Sequence, residues 1–297
     1  MPRGRLSAAA VAVVLASLGV ASAVQARDVK RCGITIGAGK TGTLVQDVEC
    51  GYRCRNDATV ACERDDRHGL DYRCPVDPGR GCDAETITLE RNATLDLNGF
   101  DLRSAYQEDG IICARGSRSK CTVRGPGNFF ARKGRAITPN GRDVVLEDLT
   151  IDRDYRGFTD ARRIRARDVV LQNCSSAMQA DGPVRLTDVT VGGGCGFISG
   201  SSMYLEDVTL VDHVGAAGTV RGRNVRQFKP SSGSVGGRDV FLGDSELGQV
   251  FAARQLVLRD SSVELIETGE EPALIRSSCM ESERADGSGT WGVCALD

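Results

Sequence analysis

The chain has 297 residues, among them 36 glycines and 12 cysteines, with 26% charged and 5% aromatic residues and a formal net charge of −2. That balance excludes a wholesale basic nucleic-acid binder, a disordered chain and a membrane protein, and describes a protein with many turns and thin hydrophobic layers. All twelve cysteines lie at or beyond residue 32, which argues against a reduced cytosolic home.

In chain order, the first element is a leader. Arg3 and Arg5 precede an unbroken small and apolar run from Ala8 to Val20, and Ala21-Ser22-Ala23 and Val24-Gln25-Ala26 offer two small-residue cleavage sites. Residues 1–26 therefore read as a secretory signal peptide, with a mature start near Val24 or Arg27 and a secreted or periplasmic destination. The apolar run is short of the roughly 20 residues that a membrane span needs. Loss of Arg3 and Arg5 with the leader takes the formal charge from −2 to −4.

Residues 27–85 read as a cysteine-rich cap and insertion. Cys54 and Cys62, Cys74 and Cys82, and Cys113 and Cys121 share one short spacing that suits local disulfides. The same neighbour rule pairs Cys32 with Cys50, Cys174 with Cys195 and Cys279 with Cys294, and leaves no thiol free, although spacing alone does not fix connectivity. A metal site built on His68 with the nearby cysteines lacks the Cys-x-x-Cys pairs of structural zinc modules, so no metal or cofactor is expected. Gly37-Ala38-Gly39-Lys40-Thr41 does not keep the spacing of a phosphate-binding loop.

Over residues 86–268 the chain repeats itself. The clearest copies begin Arg142-Asp143-Val144-Val145-Leu146, Arg167-Asp168-Val169-Val170-Leu171 and Arg238-Asp239-Val240-Phe241-Leu242, with drifted copies from Val184, Met203 and Leu256. With Asp148, Asn173, Asp188, Asp207, Asp244 and Asp260 as markers, and a degenerate copy at Asn224, the period is about 20 residues, the mark of a solenoid. Each copy alternates apolar and polar residues, breaks at Asp or Asn, and resumes; a further short strand precedes it, as in Arg135-Ala136-Ile137-Thr138 or Gly218-Thr219-Val220-Arg221. This predicts a parallel β-coil whose Asp and Asn corners take left-handed backbone angles and stack into a polar ladder. Val144, Val169, Val184, Met203, Val225, Val240 and Leu256 are expected to form one interior column. The remaining residues, 269–297, read as a tail closed by Cys279 and Cys294.

With Thr94-Leu95-Asp96-Leu97-Asn98-Gly99 following the entry bracketed by Cys32 and Cys50, the sequence resembles the pectin-lyase-like superfamily of right-handed parallel β-helices over roughly residues 32–268. The resemblance implies an all-β, right-handed parallel β-helix (solenoid), here with a disulfide-rich N-terminal region. It is weak for activity, because that superfamily holds lyases, hydrolases, epimerases and members without known chemistry. Its polysaccharide enzymes imply either carboxylates holding calcium beside an Arg or Lys base, or grouped aspartates that hydrolyse a glycosidic bond. Neither set is present on the expected front strands.

The residues weighed for chemistry each have a plainer role. Arg163-Ile164-Arg165 is similar to the basic tripeptide of polygalacturonases, but the accompanying aspartate motifs are missing. Asp152-Arg153-Asp154 reads as a partly neutralised loop, and His213 beside Asp212 as a structural histidine at a strand end. Asn92 and Asn173 match the glycosylation triplet, Asn173 at a corner. Charge carries more: residues 115–167 hold 14 Lys or Arg against 6 Asp or Glu, while residues 259–286 hold 3 against 8. Arg142, Arg167, Arg223, Arg238 and Arg254 are expected to stack in one column, paired to adjacent acids or gripping an acidic polymer.

Arg135, Arg163, Arg165 and Arg221 are the candidate binding residues, on the front face of successive rungs. No catalytic residue is assigned. The expected partner is an acidic polysaccharide or a cell-envelope component, with no nucleic acid. The leading function is a non-catalytic exported β-helix that displays a binding surface; a polysaccharide lyase or hydrolase, and a purely structural or adhesive protein, stand beside it. A catalytic member would gather two or more carboxylates, or a carboxylate and an arginine, in a groove on adjacent rungs.

Overall fold

Alternating side chains put Val144 and Leu146 inside and Val145 outside on one strand, and the same phase on the next strand stacks them into continuous layers. The outcome, in the computed structural model, is a parallel β-solenoid of about nine turns. It is all-β, with no helix among the described residues. Described are residues 26–54, 59–60, 63–65, 71–73, 82–105, 108–116, 119–131, 134–152, 157–174, 178–192, 195, 197–211, 213–227 and 233–294, with backbone alone in the strands between 53 and 82.

One residue per coil makes the bend. Asp148, Asp168, Asp188, Asp207, Asn224, Asp244 and Asp260 all hold φ between 50° and 55°. Asp and Asn tolerate this left-handed region better than other side chains do. The extra residue also resets the alternation: in Arg163–Gln172 both Arg167 and Asp168 face out, so Ile164 and Ala166 point inward before the corner and Val169 and Leu171 after it. One strand thus serves two walls of the core.

The corner series corrects two registers expected from the sequence. Asp168, not Asn173, stacks between Asp148 and Asp188; Asn173 has its own left-handed bend further along the coil, where its Nδ2 donates to Asp152 Oδ1 at 2.9 Å. The interior column runs Val144, Ile164, Val184, Met203, Val220, Val240 and Leu256. Val169 and Val225 belong instead to a second column with Leu149, Val189 and Val208, beyond the corner. Likewise, Thr219–Arg221 opens the bent strand Thr219–Gln227 and is not a separate preceding strand.

Several polar groups at and beside the corner pair between rungs. Arg124 donates to Asp96 at 2.7 Å, Arg223 lies 3.1 Å from Asp244, and Arg276 makes two hydrogen bonds to Asp260. Towards the C-terminus serine takes over the inner side of the corner: Ser261 Oγ accepts from Ser245 N and donates to Arg259 O, and Ser277 Oγ repeats the pattern one rung on. Buried hydroxyls are tolerated because each both donates and accepts.

Four of the expected disulfides are present: Cys32 with Cys50, Cys113 with Cys121, Cys174 with Cys195, and Cys279 with Cys294. The other two expected pairs, Cys54 with Cys62 and Cys74 with Cys82, involve side chains outside the described residues; the backbones of Cys54 and Cys82 stand opposite each other in antiparallel register. At the far end, Ser278–Arg284 pairs in parallel with Ser262–Thr268, and the Trp291 indole N–H donates to Thr268 O while Arg284 stacks on its ring at 4.2 Å.

Candidate functional site

The outward residue between two inward apolar ones falls at one height on every rung of the wall before the corner. Reading across the rungs, that position is Val145, Arg165, Arg185, Tyr204, Arg221, Phe241 and Val257. Neighbouring strands in a sheet stand about 4.8 Å apart, so three arginines and two aromatic rings form a single file along the solenoid axis. Arg221 lies over the Phe241 ring at 5.6 Å, within cation–π range. Tyr204 is 48% exposed. A cavity of about 540 Å³ opens over this file, with Arg185, Tyr204, Arg221 and Phe241 in its walls.

A second outward file runs parallel to the first, nearer the corner: Glu147, Arg167, Thr187, Glu206, Arg223, Gly243 and Arg259. Here two of the three arginines are engaged. Arg167 lies 4.0 Å from Glu147 and 3.6 Å from Asp168, and Arg223 is paired to Asp244. Arg165, Arg185 and Arg221 form no ion pair with any described residue, so the first file holds only such arginines whereas the second is mixed, with Arg167 and Arg223 paired and Arg259 not.

The structure divides the sequence candidates accordingly. It brings Arg165 and Arg221 into one file and places Arg163 on the same face, two residues before Arg165 and exposed. Arg135 is not on that face: it is half-buried beside Ile137–Thr138, in a separate sheet with Ile111–Cys113, because the short strand of each coil forms another wall. Nor do the five copy-initial arginines share a column. Arg167 and Arg223 align, whereas Arg142 stands before the bent strand Asp143–Asp152, and Arg238 and Arg254 grip the buried Asp239. Arg142 is buried, donates to Arg115 O at 3.0 Å, and has its guanidinium pushed below the ordinary value by desolvation.

Sequence reasoning missed Arg185, Tyr204 and Phe241. The signal was available, since each occupies the outward place in an apolar-x-apolar triplet, Val184-Arg185-Leu186, Met203-Tyr204-Leu205 and Val240-Phe241-Leu242.

The acidic candidates do not gather. Asp152 is buried and accepts from Asn173, while Asp154 and Asp212 lie outside the described residues. His213 is exposed and hydrogen-bonds Ser234 Oγ through Nδ1 at 2.9 Å. Glu206 is the one carboxylate in the walls of the arginine cavity among the described residues. No group of three or more His, Cys, Asp or Glu among them is placed to hold a metal ion.

Fold and site together define a disulfide-stapled parallel β-solenoid with a solvent-facing arginine and aromatic file. Comparison with protein-family models, curated proteins and solved structures finds no match. The disulfides suit an oxidising environment, and no helix among the described residues is long and apolar enough to cross a membrane.

Proposed function

We propose that the chain is an exported β-helix of the pectin-lyase-like kind that holds an acidic polysaccharide along the file of Arg165, Arg185, Tyr204, Arg221 and Phe241 without cleaving it. The observation that carries this reading is that Arg165, Arg185 and Arg221, which make no ion pair with any described residue, stand in register with two aromatic rings. Guanidinium groups recognise carboxylates and sulfates by charge-assisted hydrogen bonds, and the rings in the same file accept the apolar faces of sugars. A polymer lying along the axis meets each rung in turn. Arg163 extends the basic surface on the same strand.

A panel of acidic and neutral polysaccharides tests the reading, with binding and the ultraviolet absorbance of an unsaturated product recorded together. Retention of an acidic polymer with no rise in absorbance is expected. Accumulation of unsaturated product would make the protein a lyase, and failure to retain any acidic polymer would remove the proposed function.

A further inference from the structure

The wall made by the short strands carries a second cavity, of about 840 Å³, with a different chemistry. Its floor is a file of small residues, Ser199, Gly215 and Gly236, that ends at Phe251. Beside it, Phe197, His213 and Ser234 stand on the same three rungs, one residue before the inward Ile198, Val214 and Val235, and His213 Nδ1 is hydrogen-bonded to Ser234 Oγ. Phe197 is 44% and Phe251 37% exposed, large apolar rings at either end of a shelf with almost no side chains. The shelf depends on glycine: a Cβ at position 215 would stand 2.9 Å from the Phe197 ring, which therefore lies down on the backbone there.

Charge separates this cavity from the arginine file. Of the charged residues in its walls among the described residues, Arg238 is already paired with the buried Asp239, which leaves Asp181. Beyond Phe251 the shelf file continues as Glu267 and Glu283. A polyanion running along this wall would meet carboxylates, so the ligand that favours the arginine file is disfavoured here. Three rungs separate Phe197 from Phe251, about 14 Å at the strand spacing of roughly 4.8 Å.

We infer that this cavity is a second binding site, for an uncharged oligosaccharide chain. A pyranose ring has apolar C–H faces, which stack on phenylalanine, and equatorial hydroxyls, which bond to serine in the cavity walls. Phe197, whose ring covers Gly215, and Phe251 hold the two ends of a short run of sugars across Gly236, and Ser199 and Ser234 supply hydrogen bonds along it. The site is independent of the arginine file and needs no charge.

Calorimetry with cellohexaose, xylohexaose and mannohexaose as probes tests this on the full chain. At least one should bind, with an affinity that does not change between low and physiological salt. Phe197→Ala and Phe251→Ala should each weaken it roughly tenfold. Gly236→Val should abolish it while leaving the melting temperature intact, because a Cβ there meets nothing closer than 3.9 Å and the added side chain fills the shelf. In protein labelled with 4-fluorophenylalanine, the fluorine signals of Phe197 and Phe251 should move on titration. The Arg165→Ala, Arg221→Ala variant should bind these probes as the parent does, so loss of acidic-polymer binding leaves this inference standing. Absence of binding by all three probes, binding that survives both phenylalanine substitutions, or binding lost with salt would overturn it.

Discussion

Asp188 and Asp207 act through backbone geometry, at φ of 53° and 54°. A β-branched residue at such a site adopts the left-handed region at a cost of roughly 1–2 kcal/mol, whereas glycine enters it freely. Asp207→Val should therefore lower stability by about that amount in denaturant unfolding, and Asp207→Gly by clearly less. Asp239 acts through charge instead. Hydrogen bonds from Arg254, aided by Arg238, hold its carboxyl below the usual carboxylate range, against the opposing effect of burial. A carboxyl with a depressed folded pKa contributes stability that is present above its unfolded pKa and lost as pH falls through the folded one. Acid unfolding of Asp239→Asn, followed by circular dichroism, should show a less stable protein at neutral pH and a shallower loss below the ordinary carboxylate range. Equal acid limbs in the two proteins would remove Asp239 from the acid transition.

At the scale of the strand, the core columns set the register. Val169 is 1% exposed, so Val169→Asp buries an unpaired charge and should destabilise by several kcal/mol; a variant that melts with the parent would contradict the second interior column. Gly222 faces the core where Leu146, Ala166, Leu186 and Leu205 precede it and Leu242 follows, and a Cβ there would stand 2.7 Å from Leu242. Gly222→Ala should likewise lower the melting temperature. The strands, the corner chemistry and the period were legible in the sequence because period-two alternation and a left-handed Asp or Asn leave local marks. Register was not. Arg142-Asp143-Val144-Val145-Leu146 and Arg167-Asp168-Val169-Val170-Leu171 read alike, yet Asp143 lies within the wall before the corner and Asp168 is the corner itself. The same alternation satisfies either wall, so only stacking against neighbours distinguishes them. For the candidate site, the apolar-x-apolar triplets marked Arg185, Tyr204 and Phe241 as outward, but only stacking shows that they share one file with Arg165 and Arg221.

Across the whole molecule, the disulfides and the charge distribution reinforce the division of labour. Cys174 and Cys195 close a loop with a sequence separation of 21, and a link of that kind stabilises by about 2–4 kcal/mol, chiefly through the unfolded chain. Replacing both by serine should shift the unfolding midpoint accordingly, and the unfolded, unreduced parent should show no reactive thiol. The acidic residues gather towards the C-terminal coils, so a polyanion is steered to the central rungs that carry Arg165, Arg185 and Arg221. The most direct measurement is the affinity of an acidic polysaccharide for the parent and for the Arg165→Ala, Arg185→Ala, Arg221→Ala variant across a series of salt concentrations. The arginine file predicts parent binding that weakens steeply as ionic strength rises towards about 0.15 M, and a folded variant with little binding at any salt. Binding by the variant equal to that of the parent, with the same salt dependence, would contradict it.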